Sequence, residues 1–256
     1  YYSISDDGTR ENFSYDPNNA PITSYGDSFC FGRLVGNKNT WQYHLSNKLQ
    51  KNVSNRGVGN YGLDQALMRF ELEVETLSCQ HLIINVVPET IARVLSTWKH
   101  YFEYGNTLAF KPKFKFSNGK LEYINSPIND IDSLIKKAKS PDEEIKSDYF
   151  FKRKFFRDII RFPILICLFK KPKRHLSLIF YRILDVILAC RGKERRNLAF
   201  KVILKENKSW THKLFNKKEP VELLLAIFNR FYQVASKNNI QITLLWTPQI
   251  IDLDQE

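Results

Sequence analysis

At 256 residues the chain is long enough to bury a sizeable core, and its length fits one α/β domain carrying an insertion. No run approaches the ~18 apolar residues that mark a membrane-spanning helix. Thirty-nine Lys and Arg against 27 Asp and Glu leave a formal charge of +12. The four cysteines, Cys30, Cys79, Cys167 and Cys190, have neither metal-ligand nor redox spacing, so they read as buried thiols and not as a disulfide framework.

In chain order, the first element is a short strand over 21–25 that runs straight into Gly26-Asp27-Ser28-Phe29-Cys30-Phe31-Gly32. Gly26 permits a sharp exit from the strand. A serine at the tip of that turn presents its hydroxyl and its backbone N–H at the carboxyl end of a parallel strand, where open α/β sheets bind ligands. A nucleophile and an oxyanion donor thus sit together. Trp41, Leu45 and Leu49 then recur at helical spacing behind Asn39, which reads as the N-cap. A second strand over 52–55 leads into the loop Asn55-Arg56-Gly57-Val58-Gly59-Asn60 and a helix bearing Leu63, Leu67 and Phe70.

These two blocks, Gly26-Asp27-Ser28-Phe29 with Gly32 and Asn55-x-Gly57-Val58 leading to Tyr61-Gly62-x-Asp64-Gln65, resemble the SGNH (GDSL-type) hydrolases, in particular the branch found among bacterial polysaccharide-modifying proteins. The resemblance covers residues 20–105 by motif and 221–248 by pattern. It implies a three-layer α/β/α sandwich with a central parallel sheet, flavodoxin-like and of SGNH type. It makes Ser28 the nucleophile, the backbone N–H groups of Asn60 and Gly59 oxyanion donors, and Asp27 a brace of the elbow. Asn60 stands where the family usually has glycine; asparagine is the residue that best tolerates the left-handed region in its place.

His81–Val87 is a nearly continuous apolar run, the pattern of a strand buried on both faces. The family follows it with an Asn-Asp pair whose asparagine donates to the oxyanion; this chain has Pro88-Glu89-Thr90. The stretch from Ile91 reads as helix as far as Gly105. It would place Glu89, Arg93 and His100 on one face, either as a site peculiar to a subgroup or as a solvated face with a local ion pair. The family's Asp-x-x-His block, which holds the general base, does not occur in residues 1–256. The reading is a fragment truncated at both ends, with that block expected downstream of Glu256. None of His44, His81, His175 and His212 has a context that suggests it as a substitute base.

Phe114 to Leu121 is a hairpin signal, with Asn118-Gly119 suited to a type I′ turn. Ser140-Pro141-Asp142-Glu143-Glu144 has the cap, proline and acids of a helix start. Residues 150–219 carry twenty Lys and Arg against five Asp and Glu, so the whole basic excess lies in this segment. Here Phe150, Phe151, Phe155 and Phe156 interleave with Lys152, Arg153, Lys154 and Arg157. Beyond Pro163, the residues Leu176, Ile179, Phe180, Ile183, Leu184, Ile187 and Leu188 form an apolar helical stripe. One reading has these helices packing their apolar faces on a core with a basic face to water. Others are an interfacial surface for anionic lipid, a groove for an anionic glycan or lipid-linked phosphate, and a lid over Ser28. Nucleic acid is not favoured, since no recognition motif accompanies the charge.

The expected organisation is one SGNH-like domain over residues 1–256 with a helical basic insertion at about 107–220 and core strands near 21–25, 52–55, 81–87 and 240–246. The expected reaction is hydrolysis or transfer of an O-acyl group, with an acetylated carbohydrate or small ester as substrate and neither cofactor nor metal. Alternatives are a non-catalytic scaffold that docks on a membrane or anionic partner through the insertion, and a lysophospholipid esterase. Residues 150–219 are the expected contact with anionic membrane. Cysteine usage and the basic insertion favour the cytoplasm or the membrane periphery; a periplasmic location stays open, because the N-terminal region is read as missing.

Overall fold

The computed structural model describes the chain apart from residues 13, 14, 17, 18, 99–108, 140, 141, 161, 193–196 and 254–256. The elements run β1 (Ile22–Tyr25), α1 (Ser28–Phe31), α2 (Trp41–Leu49), β2 (Val53–Asn55), α3 (Leu63–Glu73), β3 (His81–Val86), α4 (Thr90–Arg93), β4 (Lys113–Ser117) and β5 (Lys120–Ile124). There follow α5 (Ile131–Lys139), α6 (Asp142–Ser147), a π-helical turn (Phe151–Phe155), α7 (Phe156–Asp158), α8 (Ile164–Lys170), α9 (Pro172–Cys190) and α10 (Leu198–Phe215). The chain closes with α11 (Lys218–Lys237), β6 (Gln241–Trp246) and α12 (Ile250–Leu253). Two compact units divide these elements. The first comprises Tyr1–Val94, Pro112–Ile124 and Phe215–Glu256, the second Leu95–Lys111 and Asn125–Leu214.

The first unit is α/β, built on a four-stranded sheet in the order β2-β1-β3-β6 with every pairing parallel. Ile22 lies opposite both Val53 and His81, and His81 opposite Gln241. All of β3 beyond His81 is buried, as its apolar run demands. The connection from β1 runs to β2 on one side, while the chain returns past β1 to β3 and then to β6 on the other. Right-handed crossovers put α2 on one face and both α3 and α11 on the opposite face, an arrangement compatible with a three-layer sandwich. Phe70 of α3 stacks on Phe231 of α11 at 5.8 Å between centroids. Tyr25 meets Phe70 edge-on, and its hydroxyl donates to Glu73 at 2.5 Å, tying β1 to that layer. The reversal of direction between β1 and β3 makes a topological switch point at their carboxyl ends.

The buried face of α2 differs from the apolar stripe read in the sequence. Gln42 and Ser46 are its buried residues, whereas Leu49 is exposed. Gln42 donates to the Cys30 carbonyl at 2.7 Å and the Ser46 hydroxyl accepts from the Val53 N–H at 2.9 Å, so the face is recruited by backbone groups that need partners. The cap is Thr40, whose hydroxyl accepts from Tyr43 N at 3.2 Å; Asn39 belongs to the preceding 3₁₀ turn. The hairpin β4–β5 turns at Asn118 (φ 51°) and Gly119 (φ 75°), the two positive φ values of a type I′ turn. It belongs to the first unit, so the compact division falls inside the 107–220 insertion read from sequence.

The helix expected across 91–105 stops early: α4 ends at Arg93, and residues 94–98, which lead into the second unit, are turn and irregular chain. Asp148 is the reason, because its buried Oδ2 accepts from Thr97 N at 2.7 Å and contacts the Ser96 hydroxyl at 2.8 Å, holding 96–97 in a turn. The cap-and-proline signal at 140 and 141 lies outside the described residues. A buried ion cluster sits further on. Asp158 pairs with Lys154 and Lys171 at 3.0 Å each, and Glu206 pairs with Lys171 and, at 2.7 Å, with Arg174. Lys154 and Arg174 are themselves buried. The apolar stripe of α9 is not packed on a core: Leu176, Ile179, Phe180, Ile183 and Ile187 are exposed, and the residues α9 buries are Arg174, His175 and Asp185. The ion cluster takes the inward face, and the apolar stripe is turned outward.

Candidate active site

The site is assembled around α1, four residues long and fixed at both ends. At its start, Asp27 Oδ1 accepts from Phe29 N at 2.8 Å, a side-chain N-cap. At its end, Gly32 adopts the left-handed cap (φ 72°), and the fully buried Arg10 donates to the carbonyls of Phe31 and Gly32 at 2.7 Å each and of Val35 at 2.6 Å. Asn55 Nδ2 also donates to the Phe31 carbonyl, at 3.2 Å. Arg10 carried no motif signal in the sequence; its role follows from the unpaired carbonyls of a helix end.

Two glycines let these parts approach. A Cβ on Gly26 would lie 2.7 Å from the Asn85 carbonyl oxygen, and one on Gly57 would lie 2.4 Å from Phe31 N. The second loop is thereby pressed onto the backbone of α1. Val58 N donates to the Gly26 carbonyl at 3.0 Å and Gly57 N to Asn55 Oδ1 at 3.1 Å. Asn60 adopts φ 65°, the left-handed geometry that its residue type tolerates. Gly59 has open space around the position of a Cβ.

Ser28 is the first residue of α1 and is half-buried. Among the described residues its hydroxyl makes no hydrogen bond, nor do the backbone N–H groups of Ser28, Gly59 and Asn60. One hydroxyl and three backbone donors are therefore uncommitted among the described residues. Asp27 is not available as a base, because its other oxygen is held by Arg93 at 2.9 Å. Arg93 also donates to the Tyr61 carbonyl at 3.0 Å and to Glu89 at 2.7 Å. Burial pushes the Asp27 carboxyl above its ordinary pKa; Arg93 opposes the shift and Glu89 adds to it. The structure thus brings Glu89 and Arg93 beside the serine elbow through Asp27, while His100 lies outside the described residues.

Sequence reasoning missed Asn85. It is buried at the carboxyl end of β3, and Nδ2 donates to Thr247 Oγ1 at 3.2 Å. Its Oδ1 is buried without a partner among the described residues. With Gly26, Asp27, Tyr61 and Thr90 it lines a cavity of about 10 Å3, room for roughly one water. The cue was a lone amide within an apolar strand. The Asn85 amide nitrogen is taken up by Thr247 Oγ1 and, at 3.4 Å, by the Leu245 carbonyl. A larger cavity of about 800 Å3 lies between α11 and the hairpin, lined by Phe114, Tyr123, Leu225 and Arg230, with no nucleophile among its lining residues. Size alone does not make that cavity the reaction site.

Among the described residues no histidine is hydrogen-bonded to Ser28. His81 opens β3 at the other end of the sheet, 2.7 Å from Thr243 Oγ1, and His44 is exposed on α2. His175 is fully buried in the second unit, with its ring nitrogens 3.3 and 3.4 Å from the carbonyls of Leu168 and Asp158. Burial pushes the Cys30 thiol up to about 12, so it is no competing nucleophile. The described residues hold no group of three or more His, Cys, Asp or Glu arranged to bind a metal. No protein-family model matches this chain, and no curated protein sequence matches it.

Proposed function

We propose that the chain is a serine-dependent acyl-ester hydrolase or O-acyltransferase of SGNH type, with a flavodoxin-like three-layer sandwich, that acts on an O-acetylated carbohydrate through an acyl-Ser28 intermediate. The observation that carries this reading is the placement of Ser28. It stands at the switch point of a parallel sheet, on a helix clamped at both ends, with an uncommitted hydroxyl and uncommitted N–H groups at Ser28, Gly59 and Asn60.

In the proposed reaction Ser28 Oγ bonds to the ester carbonyl carbon as its proton passes to a base. The carbonyl oxygen becomes an oxyanion that accepts hydrogen bonds from those N–H groups, and preorganised donors of this kind contribute roughly 3–4 kcal/mol each. Collapse of the intermediate breaks the ester C–O bond, and the alcohol leaves with the proton. Water or a sugar hydroxyl then bonds to the acyl carbon as its proton passes to the base, and the acyl C–Oγ bond breaks with that proton returned to Ser28 Oγ. A histidine base of the Asp-x-x-His kind completes this proposal and is sought beyond Glu256.

The test is to translate the gene past the codon for Glu256 and to assay the full protein on acetylated sugars. Acetate release or acetyl transfer that Ser28→Ala abolishes supports the reading. Unchanged turnover in Ser28→Ala overturns it, as does a full chain with no such histidine and no activity. The second outcome would favour a non-catalytic scaffold, a reading helped by the absence of the Asn-Asp pair after β3.

A further inference from the structure

Helices α8 and α9 expose apolar side chains on a scale that a soluble surface does not need. Phe162, Leu165 and Phe169 are 90%, 71% and 80% exposed, and Leu176, Phe180 and Ile183 continue the exposed set along α9. Single exposed apolar residues are ordinary; a contiguous run over two successive helices marks an interaction surface.

The charge around this surface says what it meets. Lys170, Lys173 and Arg182 are exposed on the same two helices, with Arg157 and Lys201 on α7 and α10. The nearby carboxylates do not offset them, because Asp158 and Asp185 are buried and Glu206 is held by Lys171 and Arg174. At 100° per residue, Leu176, Phe180 and Ile183 cluster on one side of α9, while Lys173, Arg174, Ser177 and Tyr181 share the adjacent side. That second side lines a cavity of about 850 Å3 whose walls include Arg153, Arg157, Lys201 and Lys213. Apolar side chains are therefore bordered by a basic recess, the layout of a helix lying in a lipid interface with cations at headgroup level. Among the described residues no helix is long and apolar enough to cross a membrane.

We propose that the second unit docks the protein on the surface of an anionic lipid bilayer, with α8 and α9 seated in the interface and the flanking cations on lipid phosphates. Charge complementarity selects this occupant. A second copy would bring two strongly positive surfaces together, and a nucleic acid backbone offers nothing to six exposed aliphatic and aromatic side chains. The interaction is independent of the chemistry proposed at Ser28.

Vesicle co-sedimentation of the full-length protein tests it. Partition onto vesicles of phosphatidylglycerol and phosphatidylcholine should be at least tenfold stronger than onto phosphatidylcholine alone, and 0.5 M salt should weaken it. Leu165→Glu with Phe169→Glu should lower the partition at least tenfold, with an unchanged circular dichroism spectrum and Tm, since both side chains already face solvent. Lys170→Glu with Lys173→Glu should lower it as well. Equal binding to both vesicle types, binding to neither, or binding indifferent to the Glu pair overturns the proposal. So does a dimer in sedimentation equilibrium that the Glu pair dissociates in the absence of vesicle binding, because the surface would then belong to a second copy.

Discussion

Arg93 and Asp27 form a buried ion pair at 2.9 Å across 66 residues of sequence, one residue before the serine elbow. The guanidinium also holds the Tyr61 carbonyl, so one side chain fixes the cap of α1 and the loop that carries Asn60. Removing one partner of a buried pair leaves the other charge uncompensated, which costs about 3–5 kcal/mol. Arg93→Ala should lower stability by an amount of this order in urea unfolding. Arg93→Lys should recover only part of it, because an ammonium does not reproduce the planar fork that reaches Asp27, Glu89 and Tyr61 together.

Gly57 and Gly59 should behave oppositely. Gly57→Ala places a methyl against the backbone of α1, and strain of this kind costs about 1–3 kcal/mol. It should also displace the Gly59–Asn60 donors and lower any Ser28-dependent turnover at least tenfold. Gly59→Ala meets nothing within 4 Å and should keep stability within about 0.5 kcal/mol. Melting curves of the two variants, measured side by side, check this.

Asp158 makes the second unit acid-sensitive. Burial raises its pKa, but Lys154, Arg174 and Lys171 together outweigh burial and hold it below the ordinary 3.8. A carboxylate depressed in the native state contributes stability that is complete above 3.8 and is lost as pH falls through its lower native value. Thermal melts of the native sequence should lose Tm across that window. Asp158→Asn should be less stable at neutral pH, by about 3–5 kcal/mol if the cations cannot rearrange, and flatter below pH 4.

The cysteines give a direct check on burial. Cys30, Cys79 and Cys167 are buried and Cys190 is exposed, a departure from the four buried thiols read in the sequence. Under native conditions Cys190 should be alkylated first, with Cys30 protected by burial and by its raised pKa. Peptide mapping after brief alkylation reads this out; early modification of Cys30 would mean that the elbow opens readily.

β3 and β6 were legible as short apolar runs, β1 and the polar β2 from the turn and glycine-rich loop that follow them, and the hairpin because Asn118-Gly119 has one favoured geometry. The serine elbow was legible from local spacing, since Gly26 and Ser28 act within three residues. What sequence hid was set by partners far along the chain. The Asp27–Arg93 pair, the carbonyl cage of Arg10 and the buried Gln42–Ser46 face answer to backbone groups that only the fold brings close. Periodicity located the apolar stripe of α9 but carried no sign of which way it faces. That depended on Asp158, Arg174 and Glu206 claiming the interior.

Strand order also governs how the protein comes together. β3 ends at Val86 and its neighbour β6 begins at Gln241, so the entire second unit is threaded between two adjacent strands. During synthesis β1, β2 and β3 leave the ribosome early, and one side of β3 has no strand to pair with until some 150 residues later, a delay of about 8–30 s at usual elongation rates. Closing so long a loop is slow relative to local helix formation, so the last strand to dock should limit the rate of folding. Until then the newborn chain presents an unpaired apolar edge, and its yield in cells should depend on chaperones that hold such edges apart.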